Sequence, residues 1–418
     1  MTTSRSPTDA RRAVDAVWRI ESARLIAGLA RIVRDVGLAE DLAQDALVAA
    51  LEQWPKEGVP ENPGAWLMGT AKHKALDRLR RAKTLERKEE EIARELETSA
   101  EPDLAAQADD VGDELLSLIF TACHPVLSRD GRIALTLKLV GALSTAEIAR
   151  AFLVSEATVA QRIVRAKKTL AAARVPIEVP GEAERAERLE AVLEVVYATF
   201  NEGYAATAGE DWMRRELMED ALRLGRILAG LAPADGEVHG LVSLMELQAS
   251  RTRARTGPDG EPILLLDQDR ARWDRLLIQR GLAALERAVA AGGALGPYGL
   301  QAAIAACHAR ARRAGDTDWE QIVALYDALG QINPSPVVAL NRAMAVGMAD
   351  GPQAGLDVVD GLVKEGSLEG YHLLPAVRGD LLHRLGRVDE AGLEFERAAA
   401  LTENERERAL LLGRAGSG

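Results

Sequence analysis

Leu143–Leu170 reads LSTAEIARAFLVSEATVAQRIVRAKKTL, and the spacing of its residues sets the fold class. Ser144 and Glu147 form a Ser-x-x-Glu capping box, which fixes where a helix begins. Ile148, Ala151 and Phe152 give that short helix an apolar side. The chain breaks at Leu153-Val154, and Ser155 is placed to cap a second helix. There Val159, Ile163, Ala166 and Leu170 recur at helical spacing, leaving Glu156, Thr158, Gln161, Arg162, Arg165 and Lys168 toward solvent. Two helices around a tight turn, the second presenting Thr, Gln and Arg, form a helix-turn-helix pattern. Arg can pair bidentately with guanine, Gln with adenine, and Lys can meet phosphates. An ordinary amphipathic surface helix would solvate the same charges, and the turn lacks the Gly that many such motifs carry.

The rest of the chain is built for helix. At 418 residues it is long enough for several domains. Hydrophobic residues make up 47% and charged residues 28%, a globular balance, while aromatics are only 4%. Abundant Ala and Leu then favour an all-α fold. No apolar run approaches the roughly 20 residues of a membrane-spanning helix. The segment MTTSRSPTDARR also lacks the apolar core of a secretory signal. Cys123 and Cys307 stand far apart, so no disulfide framework is expected and the expected location is the cytoplasm. A net charge of −12 argues against a protein coated in nucleic acid. Two segments are nevertheless basic: Lys72–Lys88, with eight Lys or Arg against two acids, and Arg129–Arg174, with nine against three. Local phosphate contacts and plain solvated helix faces would both read this way.

Upstream, Leu38–Trp54 reads LAEDLAQDALVAALEQW and places Glu40, Asp41, Gln44 and Asp45 on consecutive turns of one helix. Asn62–Arg81 reads NPGAWLMGTAKHKALDRLRR and places Trp66, Lys72, His73, Asp77, Arg80 and Arg81 on another. Between them Pro55, Gly58, Pro60, Pro63 and Gly64 interrupt helix. A single strand of nucleic acid needs a stacking surface and a cationic track, which an aromatic with Lys72, Lys74, Arg78, Arg80 and Arg81 would supply. Trp66 serves equally as a core aromatic closing the helix pair, and Asp77 as a helix-stabilising partner of Arg80 or Arg81.

These two motifs, in order before the helix-turn-helix, resemble the extracytoplasmic-function sigma factors of RNA polymerase. That family carries a Glu-Asp-x-x-Gln-Asp helix, then Trp-Leu, then a helix ending Asp-x-x-Arg-Arg. The resemblance covers about Val14 to Leu170. It implies region 2 over residues 11–82, a linker over 83–110 and region 4 over 111–174. It further implies that Asp41, Gln44 and Asp45 dock on the β′ clamp helices of core RNA polymerase. Trp66, Lys72, His73, Lys74, Arg78, Arg80 and Arg81 would then engage the −10 element of promoter DNA. Glu156, Thr158, Gln161, Arg162, Arg165 and Lys168 would read the −35 element, with region 4 on the β flap. His73 stands where the family often has Asn.

Residues 182–291 form a further helical segment, broken near Arg255–Pro262. Residues 297–412 bring helices in pairs. PVVALNRAMAVG from Pro336 and YHLLPAVRGDLLHRLG from Tyr371 match at an offset of about 35 residues, a tetratricopeptide-like spacing. The combination resembles sigma factors with such repeats fused behind them, which implies regulation in cis by contact of the extension with the sigma core. Phe200–Tyr204 reads as a helix end with a tight Gly break at Gly203. A latch pairing Asp267 and Asp269 with Arg251, Arg253, Arg255 and Arg270 is expected, either as a regulatory device or as a structural hairpin. The six histidines are dispersed, Cys123-His124 has no partners at zinc spacing, and no glycine-rich phosphate loop occurs. No enzyme, metal or cofactor is expected. The competing reading is a stand-alone helix-turn-helix regulator with a ligand- or protein-sensing repeat domain. It has no need of the Leu38–Arg81 motifs.

Overall fold

A computed structural model describes residues 7–83, 114–152, 154–205, 208–209, 213–258 and 260–416. Leu153 and, except for Lys83, the expected linker 83–110 lie outside the described residues. The fold is all-α, as expected. Among the described residues helix is relieved only by an isolated bridge, Thr256 with Pro262, and a two-residue parallel pair, Ala208–Gly209 with Glu403–Asn404. The chain forms two compact units, Met1–Val196 and Tyr197–Gly418.

The first unit begins with α1 (Pro7–Val33), α2 (Val36–Glu57) and α3 (Pro63–Lys83). Asp35 starts α2 by accepting the Leu38 N–H at 2.8 Å, and Gly58 ends it at φ 92°. That dihedral suits a residue without Cβ. Ala39, Leu42, Ala43, Ala46 and Ala50 form the buried stripe of α2. Small side chains there let Leu25, Ile26 and Leu29 of α1 approach closely. The Pro-Gly-rich turn is short, because Asn62 restarts helix by accepting the Ala65 N–H at 3.1 Å. Next come α4 (114–122), α5 (Arg129–Leu139), α6 (Thr145–Ala151) and α7 (Glu156–Ala172). The start of α8 (Glu182–Tyr204) closes this unit. Arg188 of α8 donates to the Phe120 carbonyl at 3.0 Å, and Glu194 pairs with Arg129 and Arg132 at 3.3 and 3.2 Å.

The second unit holds the end of α8, then α9 (Arg215–Leu231), α10 (Gly236–Ala249), α11 (Arg275–Ala290) and α12 (Pro297–Arg310). Its remaining helices are α13 (Trp319–Ile332), α14 (Pro336–Ala349), α15 (Pro352–Glu365), α16 (Leu373–Arg384), α17 (Val388–Leu401) and α18 (Glu405–Ala415). Buried on nearly every face, α10 forms the centre. Its Glu237 caps α12 by accepting the N–H groups of Tyr298 and Gly299 at 2.9 and 3.1 Å. A carboxylate there offsets the positive end of the helix dipole. Residues of both segments expected as 182–291 and 297–412 meet in one cluster, Leu244, Ile278 and Leu285 with Ala302 and Ala306, while residues within 340–411 supply a cluster of their own. Three helix pairs follow, α12–α13, α14–α15 and α16–α17, their first helices starting at Pro297, Pro336 and Leu373. Small residues set their spacing: a Cβ on Gly355 would lie 2.7 Å from the Ala343 carbonyl oxygen, and one on Gly379 2.8 Å from the Phe395 ring.

The helix ends within Phe200–Tyr204 as expected, but Gly203 is not the break. The helix continues to Tyr204, and Gly203 serves a close crossing instead: a Cβ there would sit 2.8 Å from Met218 Cα. The clash is with backbone, which has little room to yield. Gly203→Val is expected to destabilise the protein by about 2–3 kcal/mol. Gly230→Ala, at an open helical position, is expected to be neutral or slightly stabilising. Thermal denaturation followed by circular dichroism checks both.

Candidate nucleic-acid interface

The helix-turn-helix assembles from its caps outward. The Ser144 N–H donates to Glu147 Oε2 at 2.7 Å and the Glu147 N–H to Ser144 Oγ at 3.1 Å, completing the capping box on α6. Ser155 Oγ accepts the Thr158 N–H at 3.1 Å and starts α7. Val159, Ile163, Ala166 and Leu170 are its buried stripe. On the short helix Ile148 is buried as expected, with Ala149 beside it, while Ala151 and Phe152 are half-buried.

Of the −35 candidates, Glu156, Gln161, Arg165 and Lys168 are exposed. Thr158 is half-buried, its hydroxyl 2.8 Å from Ser155 Oγ. Arg162 is held by Asp130 of α5 at 2.7 Å, so it braces the motif. Val164, 49% exposed, shares the outer face with Gln161, Arg165 and Lys168. An apolar side chain on such a face is suited to a thymine methyl. Its spacing of three and four from Gln161 and Lys168 was the available signal.

Helices α2 and α3 bring the acidic and basic candidates together. Asp45 pairs with Arg78 at 3.5 Å, and its carbonyl accepts Lys74 Nζ at 2.8 Å. Asp41, Gln44 and His73 are exposed, Lys72 half-buried. Gln44 donates to Glu40 at 2.8 Å. Half-buried Trp66 meets Trp54 edge-to-face, with centroids 5.4 Å apart, and so closes the helix pair. Asp77 is exposed rather than buried. The side chains of Arg80 and Arg81 lie outside the described residues.

Glu40 is the residue that sequence reasoning passed over. It is only 4% exposed and sits against Lys167 of α7 and Lys138 of α5, the latter at 3.8 Å. No local pattern signals this, because both lysines come from the far half of the unit. Beside this clasp opens a cleft of about 980 Å³ whose lining includes Arg31, Arg34, Lys72, Lys167 and Arg174.

In the second unit the expected latch is not formed. Asp267 and Asp269 are exposed, and Asp269 caps a short turn by accepting the Ala271 N–H at 2.9 Å. Arg251 donates to the Tyr204 hydroxyl and Arg255 to the Tyr204 carbonyl. Burial pushes the Arg255 guanidinium down to about 10. Arg270 donates to the carbonyls of His308 and Ala311 at 2.7 and 2.9 Å, while Arg253 is exposed. Arg251, Arg255 and Arg270 each sit over an aromatic ring, which helps to compensate a guanidinium. Cys123 is buried, 3.2 Å from the Thr136 hydroxyl, and burial pushes its thiol up to about 11. No cluster of three or more His, Cys, Asp or Glu suited to a metal occurs among the described residues, nor any helix long and apolar enough to cross a membrane.

Residues 20–84 match the family model of Sigma-70 region 2, and residues 117–170 that of Sigma-70, region 4. The chain carries two domains of the sigma-70 family. Its two sigma domains are those of promoter recognition and transcription initiation. Behind them residues 188–289 match a family of unknown function (DUF6596). An uncharacterized protein of Rhizobium meliloti (strain 1021) is 44% identical over 386 residues, 92% of this chain and 90% of that one. The likeness therefore runs through the extension as well as the sigma domains.

Two ion pairs of this sigma factor differ in burial, and that sets their worth. Glu40→Gln would leave two partly buried lysines without their acid and is expected to cost roughly 1–3 kcal/mol. Asp45→Asn breaks an exposed pair and is expected to cost no more than about 1 kcal/mol. Urea denaturation of both variants checks the order, and raising the salt should shrink the smaller effect first.

Proposed function

We propose that this protein is an RNA polymerase sigma subunit of the extracytoplasmic-function type, with an extension that regulates it in cis. The outer face of α7 carries the reading: Gln161, Val164, Arg165 and Lys168 stand exposed at successive helical turns on a motif whose other side is fully packed. In this reading Arg165 and Gln161 meet base edges of the −35 element, Lys168 meets phosphate, and Arg162 holds α7 on α5. Asp41 and Gln44, with Asp45, dock on the β′ clamp helices. Lys72, His73, Lys74 and Arg78, together with Arg80 and Arg81, follow the −10 strand along α3. Trp66 supports that helix by packing on Trp54. Region 4 rests on the β flap, and the work is done in the cytoplasm, where polymerase and chromosome meet.

Regulation in cis is supported by α8, whose first half grips the region 4 scaffold through Arg188 and Glu194. The helix pairs from α12 onward, with glycines at their crossings, support a tetratricopeptide-like build for the distal part. Extensions of that kind present surfaces for a protein or small molecule.

Arg165→Ala is expected to weaken −35-dependent promoter binding of the reconstituted holoenzyme by roughly 1–3 kcal/mol, leaving core binding intact. Loss of core binding would mean that Arg165 is structural. Truncation after Val179 is expected to change reporter output strongly, whereas unchanged output under all growth conditions would contradict cis regulation.

A further inference from the structure

The second unit contains a polar cleft, none of whose lining residues is assigned above to DNA or polymerase. Its volume is about 270 Å³, near the lower end of small-molecule sites. Gln248 from α10 and Arg251 just beyond it line one part, Gln301 and His308 from α12 another. Tyr197 of α8 contributes its ring, and Asn341 of α14 stands exposed at the edge. The remainder is largely apolar, with Leu244, Leu265 and Ile304.

The electrostatics favour one sign of ligand. Among the described residues the lining holds a guanidinium and no carboxylate. Arg251 lies over the rings of Tyr204 and Trp273, 5.7 and 5.8 Å from their centroids, and no acid among the described residues pairs with it. Arg270 stands on the same Trp273 ring at 5.0 Å. Burial, then these two guanidiniums, push His308 down to about 3, so its imidazole is neutral at physiological pH.

Polar atoms in this cleft are also left over. Gln248 Oε1 and His308 Nδ1 are buried and have no hydrogen-bond partner among the described residues. Buried polar atoms are ordinarily paired, so two on one cleft point to a ligand that meets them. Gln301 is already oriented, accepting the Tyr197 hydroxyl at 3.3 Å and donating to the Pro297 carbonyl at 3.1 Å.

We propose that this cleft binds a small organic carboxylate with a compact apolar or aromatic body. Its carboxylate pairs with Arg251, whose planar fork matches that group. The body lies against Leu244, Leu265 and Ile304, and a polar substituent meets Gln248 and His308. A single lining cation suits a monoanion rather than a phosphate, which ordinarily gathers several donors. The field of Arg251 and Arg270 disfavours a cation. Because Arg251 also holds Tyr204 at the end of α8, a ligand there acts on that helix terminus. The site stands independently of the sigma reading.

Ligand-observed fluorine NMR on the full chain tests it, with para-fluorobenzoate and para-fluorophenylacetate as probes at millimolar concentration. The neutral para-fluorobenzamide and the cationic para-fluorobenzylamine serve as counterparts. At least one carboxylate is expected to broaden, and both counterparts much less. Arg251→Gln is expected to weaken binding by about tenfold or more. Ala305→Phe, which fills the cleft from α12 and leaves Arg251 in the sequence, is expected to abolish it and keeps the test decisive if Arg251→Gln fails to fold. No broadening by either carboxylate overturns the proposal. So does equal broadening by the counterparts, or binding that survives Ala305→Phe.

Discussion

The Glu40 carboxylate lies inside the first unit, where an unpaired charge would cost far more than any single contact returns. Lys138 and Lys167 compensate it, and Gln44 donates to the same group. Because compensation must come from α5 and α7, α2 of region 2 and α7 of region 4 are tied to one buried point. The lysines keep part of their length in solvent, which softens the desolvation of their ammonium groups. Such a clasp contributes more to defining which helices meet than to net stability. It also divides the acidic helix: Glu40 turns inward, while Asp41 is exposed on the outer side.

A similar division runs through the basic residues. Arg162, Arg188 and Arg270 each hold a carboxylate or carbonyls of a neighbouring element, so they are framework. Arg165 and Lys168 are exposed at helical spacing and available to a partner. In the second unit Arg251 differs: it donates to the Tyr204 hydroxyl, lies over aromatic rings, faces a cleft and pairs with no acid among the described residues. Framework cations spend their charge on neighbouring elements, whereas a guanidinium lining a cleft keeps a face for an anion.

What was legible in the sequence follows the range of the interactions. Ser144 with Glu147, Ser155, and the stripe Val159, Ile163, Ala166, Leu170 depend on contacts three or four residues apart, and all formed as read. The helix starts at Asp35 and Asn62 obey the same local chemistry. Glu40 and Arg162 could not be read, because their partners are set by tertiary packing. The latch of Asp267 and Asp269 on the arginine cluster failed for a related reason. Opposite charges close in sequence have no need to meet when rings and carbonyls lie nearer. Gly203 shows the same limit: a glycine signals either a turn or a close crossing, and only the arrival of Met218 decides between them.

Promoter-specific run-off transcription by core RNA polymerase, with and without this chain, tests the central claim most directly. A sigma subunit gives a discrete transcript that depends on the chain and on its promoter. Failure to bind core enzyme with Asp41 and Asp45 intact, or binding of duplex DNA that owes nothing to polymerase, would contradict it and favour a stand-alone regulator.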